Sequence, residues 1–276
     1  MSKKKPKLGQ NFLTDSSARL RIVEALGDIS TSTVLEIGPG RGALTGLLAT
    51  RAYRLIAVEL DRALAPRLAE AWKHAEHVRI HQGDILELDL AKLEEIPGST
   101  QHGPLVVVGN LPYYITSDIL LHLFAQANSI ARAVVMVQEE VADRIAAKCG
   151  NSDYGVLSAT AQMHARVEKL FVLPPEAFTP PPKVHSAVVR LDMRPRFEEL
   201  QVERIGFMRF LQMCFHQKRK TLVNNLKGIP TPGVEISKSA TVLSMIEAMG
   251  LSPSIRAEAV SLEAMAQLYR KLCSSC

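Results

Sequence analysis

From Thr33 onward the chain alternates short β-branched runs with stretches of helical periodicity, and this alternation constrains the fold more than any other feature. Strands are expected at 33–38 (TVLEIG), 54–60 (RLIAVEL), 78–84 (VRIHQGD), 104–110 (PLVVVGN) and 131–138 (ARAVVMVQ), with helices between them at about 42–51, 62–74, 116–127 and 139–148. Near-continuous apolar strands joined by helices belong to a parallel sheet covered on both faces. Asp61 and Thr116 are read as N-caps, because a short side-chain oxygen there can accept a hydrogen bond from the first helical turn. After the prolines at 174–175 and 180–182, VHSAVVRLDM (184–193) is a further strand, reached by a loop and therefore expected to run antiparallel. From about Glu198 the pattern is helical only, with segments near 203–215, 218–227, 238–249 and 261–272. The expected layout is a basic arm and N-terminal helix over 1–32, an α/β domain over 33–195 and a small all-α domain over 196–276.

Composition removes other classes. At 47% hydrophobic and 22% charged residues over 276 positions, the chain is neither collagenous nor disordered, and four scattered cysteines do not make a disulfide framework. No run approaches the roughly 18 apolar residues of a membrane helix, and the initial MSKKKPK has no apolar stretch behind it, so a cytoplasmic location is expected. The net charge of +5 is unevenly placed. Residues 1–7 carry four lysines, 8–195 carry 18 basic against 21 acidic residues, and 196–276 carry 11 against 7. Basic ends around an acidic centre suit a small-molecule domain flanked by phosphate-neutralising elements; a solvated lysine tail is the plain alternative.

The first strand runs into Glu36-Ile-Gly38-Pro-Gly40-Arg-Gly42-Ala43. Glycines at this spacing let the backbone turn tightly and approach a ligand, and the string fits both the GxGxG of S-adenosylmethionine (SAM) sites and the GxGxxG/A of dinucleotide sites. Glu59, 21 residues after Gly38, is placed to accept from ribose hydroxyls in either case. Asp84 ends the third strand and is either a second ligand or a turn cap. Ligands of open α/β sheets bind outside the C-terminal strand edge, where these positions converge.

Asn110-Leu111-Pro112-Tyr113 ends the fourth strand and has a more specific chemical use. The exocyclic amine of adenine is a poor nucleophile, because its lone pair is delocalised into the ring. Two acceptors, the Asn110 side-chain carbonyl and the Leu111 backbone carbonyl, can hold its hydrogens out of plane and aim the lone pair at a methyl donor. Pro112 fixes the backbone and Tyr113 offers a face for stacking an extruded base. A proline-stiffened loop with a packed tyrosine is the structural alternative. Likewise Phe178 can be a core aromatic, and the Lys218-Arg219-Lys220 helix segment a solvated face, although Thr221, Asn224 and Asn225 beside it favour phosphate contact. The Cys273-Ser-Ser-Cys276 spacing lacks a second ligand pair, and no metal is expected.

GQNFL (9–13), EIGPGRGALT (36–45), VELD (58–61), GDIL (83–86), NLPYYIT (110–116), AFTPPPKVHSAVV (177–189) and KRKTLVNNL (218–226) together resemble the bacterial small-subunit rRNA adenine dimethyltransferases, nearly end to end. The resemblance implies a SAM-dependent methyltransferase fold: an α/β Rossmann-like, seven-stranded, mostly parallel sheet closed by an antiparallel strand, plus a small all-α C-terminal domain. It implies that SAM is held by Asn11, Leu13, Gly38, Gly40, Glu59, Asp84, Ile85 and Asn110, beneath an N-terminal helix. Asn110, Leu111, Pro112 and Tyr113 would hold the target adenine, and Phe178 would stack on its other face. Family members dimethylate two adjacent adenosines near the 3′ end of small-subunit rRNA. Lys3, Lys4, Lys5, Lys218, Arg219 and Lys220 would contact the RNA. The implied partner is rRNA within an immature small subunit, met by a monomer. Glu139, His185 and Lys218 depart from residues common in the family. Two alternatives share the core motifs: a large-subunit adenine methyltransferase of the macrolide-resistance type, and a mainly non-catalytic assembly factor.

Overall fold

A computed structural model describes residues 11–98, 102–227 and 239–274. Lys3, Lys4, Lys5 and Cys276 lie outside the described residues. In chain order the elements are β1 (Phe12–Leu13), α1 (Ser16–Glu24), β2 (Thr33–Ile37), α2 (Thr45–Ala49), β3 (Arg54–Glu59), α3 (Leu64–Ala71), β4 (Val78–Gln82), β5 (Leu105–Asn110), α4 (Thr116–Ala125), β6 (Arg132–Gln138) and α5 (Glu139–Ala146). There follow α6 (Val156–His164), β7 (Ala165–Leu173), β8 (Phe178–Thr179), β9 (Ser186–Met193), α7 (Arg204–Cys214), α8 (Leu222–Leu226), α9 (Ser239–Ala248) and α10 (Leu262–Ser274). They form two units, one of residues up to 142 with 166–193, the other of 143–165 with 194 onward.

In the first unit every apolar run anticipated from the sequence is a strand. The sheet order is β4-β3-β2-β5-β6-β9-β7; the pairs from β4 through β6 are parallel, and β9 runs antiparallel to β6 with Ser186 opposite Gln138. β-Branched and leucine side chains such as Val34, Leu35, Val107 and Val134 are fully buried, as a sheet covered on both faces requires. β7 was not anticipated. It is an edge strand with Arg166 and Glu168 exposed, and the charges hide its periodicity. A separate ribbon pairs β1 with β8, Phe12 opposite Thr179 and Leu13 opposite Phe178.

Helix starts differ from expectation for local reasons. α2 begins at Thr45 instead of 42, since Gly38, Gly40 and Gly42 all have positive φ. Asp61 accepts from Ala63 N at 2.7 Å and so caps the turn before α3, whose N-cap position is Ala63. Thr116 is not an N-cap: its hydroxyl donates to Pro112 O at 2.9 Å, and Ile115 occupies the cap position.

The second unit takes in residues 143–165, which the sequence reading assigned to the α/β domain. The reason is packing: Tyr154 and, from α6, Ala159 and Met163 share one core with Phe207, Phe210 and Leu211 of α7, Leu222 and Leu226 of α8, and Met265 and Leu268 of α10. The buried α6 was itself unforeseen. Glu203 caps α7 by accepting from Ile205 N and Gly206 N. The expected helix over 218–227 shrinks to Leu222–Leu226, because Lys218-Arg219-Lys220 lie in the preceding turn and Thr221 is the N-cap. Among the described residues no helix is long and apolar enough to cross a membrane.

Candidate active site

The C-terminal ends of β2, β3 and β5 and the turn after β4 open onto one cavity of about 1090 Å³, part of it open to solvent. Parallel strands bring these ends together by construction, and the glycine turn forms its floor. At Gly38 (φ 64°), which lines the cavity, an added Cβ would meet Asn110 O at 3.9 Å, an ordinary contact, so the turn is not closed over at this point. At Gly40 (φ 58°) a Cβ would press on the Phe12 ring at 3.1 Å. Phe12 also lines the cavity, with the Arg41 guanidinium 4.4 Å from its ring centre. Phe12 went unnoticed in the sequence, where its neighbours Asn11 and Leu13 drew attention; both of those line the cavity too.

Glu59 is 5% exposed and fastens the turn to β3: one oxygen accepts from Gly40 N and the other from Asp61 N, each at 2.9 Å. A carboxylate oxygen has a second lone pair, so both remain able to accept from a ribose diol. Asp84 combines its two readings. Its Oδ1 accepts from Leu86 N at 3.0 Å as a turn cap, and the residue lines the cavity beside apolar Ile85. Glu36, quoted in the motif but given no role from sequence, is buried on the cavity wall and accepts from the Thr45 hydroxyl at 2.7 Å. Burial pushes its carboxyl up to about 7; the Thr45 hydrogen bond opposes this and nearby Glu59 adds to it.

Asn110, Leu111, Pro112 and Tyr113 all line the same cavity. Asn110 Nδ2 donates to Asn11 O at 2.9 Å. A backbone carbonyl only accepts, so it must face the amide nitrogen, which leaves Oδ1 as the acceptor without a described partner. Leu111 is anchored by N–H donation to Met136 O at 3.0 Å, and its carbonyl takes no hydrogen bond from another described residue. The Pro112 carbonyl is held twice, by Ile115 N at 3.2 Å and by Thr116. The Tyr113 hydroxyl lies 2.7 Å from the hydroxyl of buried Ser186. Phe178 departs from expectation. Its ring is 2% exposed, packs in the core that includes Leu13, Leu173 and Val188, and does not line the cavity. Phe178 is buried in the same core as its ribbon partner Leu13, and the aromatic of the Asn110–Tyr113 string, Tyr113, lines the cavity.

In the second unit Lys218, Arg219 and Lys220 are exposed and make no ion pair with another described residue. Asn225 proves to be a buried scaffold and not a phosphate ligand. Its amide donates to Cys214 O (2.8 Å) and Gln217 O (3.1 Å) and accepts from Gln217 N (3.1 Å), clamping the start of the basic turn. Of the departures from the family pattern, Glu139 pairs with Lys169 at 3.0 Å, and the His185 carbonyl accepts from Glu139 N.

A glycine floor with room above it, two carboxylates at adjacent strand ends and a partly apolar wall fit the adenosine and amino-acid halves of SAM. The seven-stranded sheet with one antiparallel strand slotted beside β6 is the matching frame. Fold and site define a SAM-dependent methyltransferase. Comparison with known proteins narrows this further. A dimethyladenosine transferase from Plasmodium falciparum has the same fold, with a TM-score of 0.75 at 23% identity over 93% of this chain and 95% of that one. The 23S rRNA methyltransferase ErmE gives 0.68 at 26% identity over 95% and 99%. Proteins named ribosomal RNA small subunit methyltransferase A are 54% identical in Acidobacterium capsulatum (98% of this chain, 92% of that one) and 44% identical in Desulfitobacterium hafniense (93% and 87%). Residues 1–254 match the family described as ribosomal RNA adenine dimethylase. The chain belongs to that family.

Proposed function

We propose that this protein dimethylates the N6 amine of two adjacent adenosines near the 3′ end of small-subunit rRNA, acting as a monomer on an immature small subunit in the cytoplasm. The observation that carries the chemistry is the orientation of Asn110, whose nitrogen is tied to Asn11 while its oxygen is left to accept. The names of the curated relatives support the choice of small subunit over large.

SAM, when bound, supplies an electrophilic methyl group on a sulfonium. The chain's part is positioning. Gly38, Gly40, Glu59, Asp84 and Ile85 would hold the cofactor, with Asn11, just before β1, and Leu13 of β1 closing the wall. Asn110 Oδ1 and Leu111 O accept the two amine hydrogens of the extruded adenine and draw its lone pair out of conjugation, while Tyr113 supports the ring face. As the N–CH3 bond would form, the sulfonium's S–CH3 bond would break, leaving the neutral thioether, and the methylated amine, made acidic by its positive charge, would pass one proton to solvent at each transfer, so no strong base is needed. Lys218, Arg219 and Lys220, with the lysines of the arm, neutralise RNA phosphates.

The test is transfer of tritiated methyl groups to unmethylated small and large subunits offered separately, followed by nucleoside analysis. N6,N6-dimethyladenosine in the small subunit is expected. Label confined to the large subunit would overturn the proposal.

A further inference from the structure

The string AFTPPPKVHSAVV contains a buried hydroxyl that none of the roles above uses. Ser186 opens β9, is fully buried and places its Oγ 2.7 Å from the Tyr113 hydroxyl. Tyr113 is half-buried and lines the cavity immediately after Pro112. Its ring is thus held at both ends. At the near end, Pro112 has a fixed φ and a carbonyl gripped by Ile115 and Thr116; at the far end, the phenol meets a strand that is itself paired with β6. A tyrosine hydroxyl lies on the ring axis. A bond there stops the ring from swinging about its χ1 torsion and so fixes where the ring lies.

We infer that Ser186 is a positioning residue for the methyl transfer: it fixes Tyr113 as the platform on which the target adenine stacks. A stacked base must lie with its amine at Asn110 and Leu111, and a platform free to swing would spread the amine over a range of positions. Misplacement of this kind lowers turnover and leaves the cofactor site, which Ser186 does not line, untouched. Burial also holds the Tyr113 phenol above its usual range, with the Ser186 hydrogen bond acting in opposition, so the phenol remains neutral at ordinary pH and serves as an anchor and not as a base.

The inference rests on reading Tyr113 as the base platform, and the two can fail separately. Ser186→Ala and Tyr113→Phe each delete the bond from one side and keep the stacking ring. Each is expected to lower kcat on unmethylated small subunits by about three- to tenfold, the range spanned by one ordinary hydrogen bond. The double variant should be no slower than the singles, with KM for SAM within about twofold of wild type and an unchanged pH–rate profile. Wild-type kcat in Ser186→Ala, losses that multiply in the double variant, a rise in the KM for SAM or a displaced pH profile would each overturn it. If Ser186→Ala does not fold, Tyr113→Phe decides alone, since it leaves β9 intact, and wild-type kcat there refutes the inference. Tyr113→Ala with undiminished kcat would instead refute the platform reading itself.

Discussion

At the cavity, the polar groups that define the site are tied to backbone or buried hydroxyl partners: Glu59 to Gly40 and Asp61, Asn110 to Asn11, Tyr113 to Ser186. Among the described residues, the side chains of Lys218, Arg219 and Lys220 in the helical unit have no such ties, and the peptide behind them is clamped by Asn225. The first region therefore works by geometry, where a displaced atom costs turnover. The second works by charge, where loss should scale with the number of cations removed and with salt.

The sharpest way to break this contrast is Asn110→Ala, which removes one oriented acceptor. It should cut kcat by about 10²–10³-fold, by analogy with loss of one preorganised hydrogen-bonding group, and leave RNA affinity unchanged in filter binding. Next is Glu36→Gln. A carboxyl raised from 4.5 to about 7 in the folded chain favours the folded state fully below about pH 4.5, and that contribution disappears as pH climbs to 7. The substitution should therefore remove a decline in stability over that window of up to about 3 kcal/mol, read by denaturant melts at pH 5 and pH 8. Replacing Lys218, Arg219 and Lys220 together by alanine should weaken RNA binding by about ten- to a hundredfold and flatten log Kd against log salt by up to about three contacts' worth. Asn225→Ala, which keeps every charge, should lower affinity severalfold at an unaltered slope; equal flattening in both would dissolve the distinction. Among the effects at the cavity the smallest is that of Gly40→Ala. A side chain in the left-handed region pressed against Phe12 should reduce SAM affinity by about tenfold in calorimetry.

What the sequence disclosed follows the same division. β2, β3, β5 and β6 were legible because their β-branched runs are buried on both faces, and the glycine turn, Glu59, Asp84 and the Asn110–Tyr113 string could be read because strand ends and short motifs are local features. The amide's orientation was not legible, since it depends on Asn11, 99 residues away. Neither were Phe12, Glu36 and Ser186, whose roles come from neighbours in space. Phe178 differs for the converse reason: its chemistry suggested a base platform, while its neighbours in space, Leu173 and Val188 among them, bury it in the core. α6 and β7 escaped because one is a helix taken into another unit's core and the other a charged edge.

The two-residue strand β1 carries a consequence for biosynthesis. Its ribbon partner among the described residues, β8, lies at Phe178–Thr179, so a nascent chain that has already produced the glycine turn and the asparagine still lacks the clasp on its cavity wall. Methylating competence should consequently arrive late in translation, once about two-thirds of the polypeptide has left the exit tunnel of the very machine whose RNA it modifies.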